Sequence, residues 1–133
     1  MKAMAWLVLM GVMMGAQAGE EDSTPCDTVD TEQQVQACAA FNRQTAEREL
    51  KAAFDELLAR VDEQAAGQTA QVHELTTRLQ AAQTLWTQLR DADCKVETHA
   101  EKPGSKAFEA AWNTCLAQRS DDRSEYLQSL VQQ

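Results

Sequence analysis

The chain has 133 residues, with 12 Lys and Arg against 21 Asp and Glu, for a formal net charge of −9. That acidic excess opposes binding to nucleic acid or to an anionic membrane surface. It suits a cationic partner, although a solvated acidic surface is the commoner origin of such a charge.

The first element is a leader. Lys2 gives a short positive start, Ala3 to Gly15 is apolar but too short to span a bilayer, and Ala16-Gln17-Ala18 is an A-x-A cleavage signal followed by Gly19-Glu20-Glu21-Asp22. Residues 1–18 therefore read as a signal peptide and residues 19–133 as a single domain. All five Met lie in the leader, and loss of Lys2 takes the charge from −9 to −10. No Cys sits at the cleavage site to accept lipid, and no second apolar run is long enough to cross a membrane. The expectation is a soluble periplasmic or secreted protein.

The mature chain is Ala- and Gln-rich with few β-branched residues, which favours helices over strands. Residues 19–30 form an irregular acidic lead that contains Pro25. Thr31 and Gln34 have capping-box spacing. A helical stripe follows through Val35, Cys38, Asn42, Ala46, Leu50, Ala53, Leu57, Val61 and Ala65, with a kink or split expected near Asn42. Gly67 is a stop and turn. A second stripe runs Val72, Leu75, Leu79, Ala82, Trp86, Leu89, in heptad-like steps that favour a shallow helix crossing. Lys95 to Gly104, with Pro103, breaks the pattern. Ser105 can cap a last helix that carries Phe108, Ala111, Trp112, Cys115, Leu116, Arg119, Arg123, Tyr126, Leu127 and Leu130 on one side. The fold class is all-α: a helical hairpin plus a third long helix, a three-to-four-helix bundle stapled by disulfides.

Cys26, Cys38, Cys94 and Cys115 are an even set in an exported chain, which implies two disulfides. Local closure at less entropic cost favours Cys26–Cys38 with Cys94–Cys115. The rival is Cys38–Cys94 with Cys26–Cys115, because Cys38 and Cys94 are nearly equidistant in sequence from Gly67. No C-x-x-C occurs, and His73 and His99 lack ligand spacing to any Cys, so no metal is implied. There is no Gly-rich phosphate loop, and neither His is set beside a nucleophile. The residues point away from an enzyme and call for no cofactor.

The richest stretch is "LQAAQTLWTQLRDADC", Leu79 to Cys94. Together with Cys38-Ala39, Glu49-Leu50, Gly104-Ser105, Cys115, Arg123 and Leu127 it resembles the LprI-like lysozyme inhibitor family of small exported bacterial domains. Lys51, Phe54 and Thr84 depart from the family pattern. The resemblance marks Gln83, Trp86, Arg90, Asp91, Gly104, Ser105 and Arg123 as motif residues. Trp86, Arg90 and Cys94 fall at i, i+4 and i+8, one face of one helix. Trp86 supplies buried area and a face for a cation, and Arg90 a donor fork suited to the carbonyls of another helix end. A structural role outweighs a ligand site.

Two functions stay open. The resemblance implies a protein partner, a basic lysozyme, inhibited by stoichiometric binding, with Glu97, His99 and Glu101 in the 95–104 loop as the segment that would enter a cleft. The first-helix acids Glu47, Asp55, Glu56, Asp62 and Glu63 are the rival surface. The alternative function is a periplasmic structural or interaction module with no hydrolase target.

Overall fold

A computed structural model describes residues 23–130. The expected leader and its cleavage site lie outside the described residues. Three helices follow in order: α1 (Glu32–Gln64), α2 (Thr69–Glu97) and α3 (Lys106–Ser129). No strand occurs among the described residues. The all-α expectation holds.

Local chemistry sets the helix starts. The Thr31 hydroxyl accepts from the Gln34 amide at 3.2 Å, and the Gln34 carboxamide accepts from the Thr31 amide at 2.9 Å, a full capping box. Ser105 Oγ accepts from the Phe108 amide at 3.0 Å and opens α3. Gly67 and Gly104 adopt φ of 83° and 80°, a conformation that favours glycine, at the two reversals. α1 is one unbroken helix of 33 residues, about 50 Å long, so it is not split near Asn42. α2 also runs further than its sequence implied. Lys95, Val96 and Glu97 are helical, and the break begins only at Thr98.

α1 and α3 run parallel and make the tightest pair. Ala39, Ala46 and Ala53 of α1 are buried at steps of seven, and so are Ala110, Ala117 and Ser124 of α3. Small side chains at heptad spacing let the two backbones approach closely. Ser120, fully buried, and Ser124, 7% exposed, fit the same seam. Ser124 satisfies its hydroxyl within α3 by donating to the Ser120 carbonyl at 3.0 Å. Leu50, Ala53, Leu57, Val61 and Leu127 form the main apolar cluster, with Phe54, Leu79 and Trp86 packed on its edge.

α2 lies antiparallel to both and touches them with fewer residues. Of its expected stripe, Val72, Leu79 and Trp86 are half-buried, while Leu75, Ala82 and Leu89 are exposed. Cys94 is the one α2 residue that is fully buried. Val35 in α1, Tyr126 in α3 and Leu130 at the α3 C-cap are likewise exposed rather than core. The apolar pattern gave the helices correctly but not which of their apolar residues face inward.

Candidate functional site

The structure joins Cys26 to Cys38 and Cys94 to Cys115, the two local pairs. The first bond fastens the lead to the start of α1. The second closes the 98–105 reversal from beneath, in an apolar cluster with Leu116 and Trp112. Phe108 stacks on Trp112 with ring centroids 6.1 Å apart.

Beside this staple, five of the motif residues meet in one seam. The Arg90 side chain is only 12% exposed. Its Nε and Nη2 both reach Asp91 Oδ1, at 2.9 and 2.8 Å. Its Nη1 donates to Glu47 Oε1 at 3.3 Å and to Ser120 Oγ at 3.4 Å. One guanidinium thus bridges all three helices. Its partners are side-chain oxygens of α1, α2 and α3, not the helix-end carbonyls expected from sequence. The reason is position: Arg90 lies well inside α2, far from any helix end.

The Arg90 guanidinium also sits 5.4 Å from the Trp86 ring centroid, with Arg123 at 5.6 Å from the same ring and 5.0 Å from Tyr126. Gln83 Oε1 accepts from Arg123 Nε at 3.1 Å and holds that plane in place. Burial lowers the Arg123 pKa, and the nearby Tyr126 opposes that shift. The aromatic ring substitutes in part for the water the guanidinium loses. Gln83, Trp86, Arg90, Asp91 and Arg123 therefore form a helix-locking stack. Gly104 and Ser105 stand apart from it, at the reversal and cap before α3.

The three candidate contact residues lie beyond Cys94 from this stack, at the end of α2 and in the reversal after it, and they are differently committed. Glu97, in the last turn of α2, accepts from Arg119 Nη2 at 2.5 Å. That hydrogen bond and the Glu97 charge hold the Arg119 pKa above its ordinary value. The His99 ring Nδ1 lies 2.8 Å from the Val96 carbonyl. Glu101 is exposed in the reversal, its amide donating to the Thr98 carbonyl at 3.0 Å. Among the described residues no group of three or more His, Cys, Asp or Glu is placed to hold a metal ion.

A second acidic surface escaped the sequence reading. On the side of the α1–α3 seam away from α2, Glu49 and Asp121 line an open groove with Asn42, Thr45 and Gln118 over a floor of Ala46 and Ala117. Asp121 titrates above its ordinary range, first through desolvation in the groove and then through Glu49, Asp122 and Glu125. The sequence signal was the pair of seven-residue small-residue repeats, which fixes the register that sets Glu49 beside Asp121.

A family model described as "Lysozyme inhibitor LprI" matches residues 26–127. A crystal structure of a DUF1311 family protein from Pseudomonas putida KT2440 is 58% identical in sequence. The match covers 80% of this chain and 99% of that one, with a TM-score of 0.69. No curated protein matches. The family match spans both disulfides, the Trp86 stack and most of α3, and on that extent the chain belongs to the LprI lysozyme inhibitor family.

Proposed function

We propose that the mature protein is an exported binding protein that inhibits a cationic, lysozyme-type cell-wall hydrolase by stoichiometric association. The observation that carries this is membership of an inhibitor family over residues 26–127. The family is one of inhibitors, not of hydrolases. The charge supports the same reading. Residues 19–31 contain Glu20, Glu21, Asp22, Asp27 and Asp30 and no Lys or Arg, so half of the mature −10 precedes α1. The Cys26–Cys38 bond fastens the described part of this lead, with Asp27 and Asp30, near the end of the bundle where the 98–105 reversal also lies. A basic partner would be steered toward that pole. Glu97, His99 and Glu101 are the side chains there that we assign to cleft contact, Glu101 being the least committed of the three.

The test is turbidimetric: lysozyme acting on a cell-wall suspension, titrated with the oxidised mature protein. Inhibition should saturate at a fixed molar ratio and weaken with salt, as the screening length falls from ~10 Å at 0.1 M to ~3 Å at 1 M. Glu97→Ala with Glu101→Ala should weaken it more than Glu56→Ala with Glu63→Ala. The comparison is matched, because Glu97 pairs with Arg119 at 2.5 Å and Glu56 with Arg60 at 3.7 Å. Equal losses from the two pairs would discard the loop and leave only general acidity.

The second reading, an interaction module without a hydrolase target, draws support from the outward face of α2, where Leu85, Leu89 and Val96 are exposed. Absence of inhibition at low salt by folded, oxidised protein would transfer the assignment to it.

A further inference from the structure

α2 presents two apolar faces. The inner one holds Val72, Leu79, Trp86 and Cys94 against the bundle. The outer one carries Leu85, Leu89 and Val96, which are 65%, 59% and 70% exposed. Ala81, Ala82 and Ala92 are exposed between and beside them. Positions 85, 89, 92 and 96 follow steps of four, three and four, which draws a straight stripe on a helix. From Ala81 to Val96 it is about 22 Å long. Leu85, Leu89 and Val96 are the most exposed large apolar side chains among the described residues, and a continuous uncovered stripe of this kind marks a contact surface.

We propose that this face is a self-association surface, on which a second copy of the chain lays its own α2 antiparallel about a two-fold axis near Gln88 and Leu89. Three features argue for a second copy as the occupant.

The stripe is complementary to its own reverse. With the axis between Gln88 and Leu89, Val96 meets Ala81 of the second copy, and Leu85 meets Ala92. Each large side chain faces a small one, and the two Leu89 side chains meet near the axis. A patch that fits itself under a two-fold rotation is what an isologous dimer requires.

Charge permits it. α2 has four acids, Glu74, Asp91, Asp93 and Glu97, and three bases, Arg78, Arg90 and Lys95, so the helix is nearly neutral although the mature chain stands at −10. The acidic lead is fastened near the C-terminal end of α2. An antiparallel pair about this axis overlaps over residues 80–97 and sets the C-terminal ends of the two α2 helices about 25 Å apart along the helix, about three screening lengths at physiological salt. A parallel pair would set them side by side.

The area is sufficient for a weak dimer. The exposed apolar surface of the stripe is on the order of 500 Å² per copy, so a pair hides about 1,000 Å² in total, where specific interfaces begin. The dimer should accordingly form at high rather than low micromolar concentration.

The experiment is sedimentation equilibrium of the oxidised mature protein across the micromolar range, at low and high salt. The average mass should rise with concentration toward twice the monomer mass. Because the contact is apolar and the net charge repulsive, added salt should strengthen the dimer, opposite in sign to its effect on hydrolase inhibition. Leu85→Asp and Leu89→Asp alter exposed positions, so both should keep the parent helicity and melting temperature while remaining monomeric throughout. A parent that stays monomeric at every concentration overturns the proposal. So does a dimer that persists in both Asp variants, or one that salt dissociates.

Discussion

Arg90 shows what one side chain does in a domain with a thin core. Its guanidinium meets Glu47 of α1, Asp91 of its own helix and Ser120 of α3, and lies over Trp86. The sequence placed Trp86, Arg90 and Cys94 on one helix face correctly, because i, i+4 and i+8 share a face in any α-helix. It could not supply the partners, since Glu47 is 43 residues away and Ser120 is 30. Partners at that distance are set by how α2 docks on α1 and α3, which no pattern within α2 encodes. Loss of this fork leaves Ser120 without that donor inside the seam and Glu47 with Arg43 alone, 3.8 Å away. Arg90→Ala is expected to cost about 2–4 kcal/mol. Arg90→Lys should recover less than half of it, because one ammonium cannot serve three oxygens while lying flat on an indole. Urea unfolding of the three proteins measures both. If the Ala variant unfolds at the parent midpoint, the stack is not a structural lock, and a binding role for it would have to be considered.

At the scale of the helix, the sequence read well in some places and badly in others for identifiable reasons. Caps were legible because Thr31, Gln34 and Ser105 act within four residues of themselves. The inward face of α2 was misread because it holds apolar side chains on two sides, and periodicity alone does not choose between them. The α1–α3 seam was read only at Ala46 and Ala53 of the first stripe, for the opposite reason. Its residues are Ala39, Ala46, Ala53, Ala110, Ala117 and Ser124, which contribute little hydropathy yet set the closest approach of two helices. The consequence is a contrast between sites. Ala46→Leu or Ala117→Leu, at positions 3% and 8% exposed, should destabilise by about 1–3 kcal/mol through overpacking. Leu89→Ala, at 59% exposed, should change the stability of dilute protein by less than about 0.5 kcal/mol. On hydropathy alone the ranking would be reversed, since adding Leu to an apolar stripe looks favourable and removing it does not. Thermal melts in dilute solution, below any self-association, decide between the two rankings.

For the molecule as a whole, the two disulfides do different things although both close short connections. Cys94 is 0% exposed and Cys115 is 5% exposed, and their bond joins α2 to α3 beneath the reversal. Removing it with Cys94→Ala and Cys115→Ala frees a 21-residue separation in the unfolded chain and opens a gap beside Leu116 and Trp112. The expected cost is about 3 kcal/mol from the chain term, with a cavity contribution added. Cys26–Cys38 instead fastens the lead, whose residues 27–30 are all exposed, to a helix that is complete without it. Without that bond the lead gains freedom in the folded and unfolded states alike, so the entropy change largely cancels. Cys26→Ser with Cys38→Ser should therefore move the global midpoint by less than about 1 kcal/mol. Its effect should appear in function. The lead, residues 19–30, bears half of the net charge in Glu20, Glu21, Asp22, Asp27 and Asp30, and this bond is what ties it to the bundle. If a basic hydrolase is drawn to the end of the bundle that holds this bond, this variant should inhibit less well at low salt while melting like the parent. At high salt, where screening has removed the long-range field, parent and variant should converge. A variant that melts like the parent and inhibits equally at every salt concentration would show that the lead takes no part in recognition, and the target contact would then have to lie elsewhere on the helices.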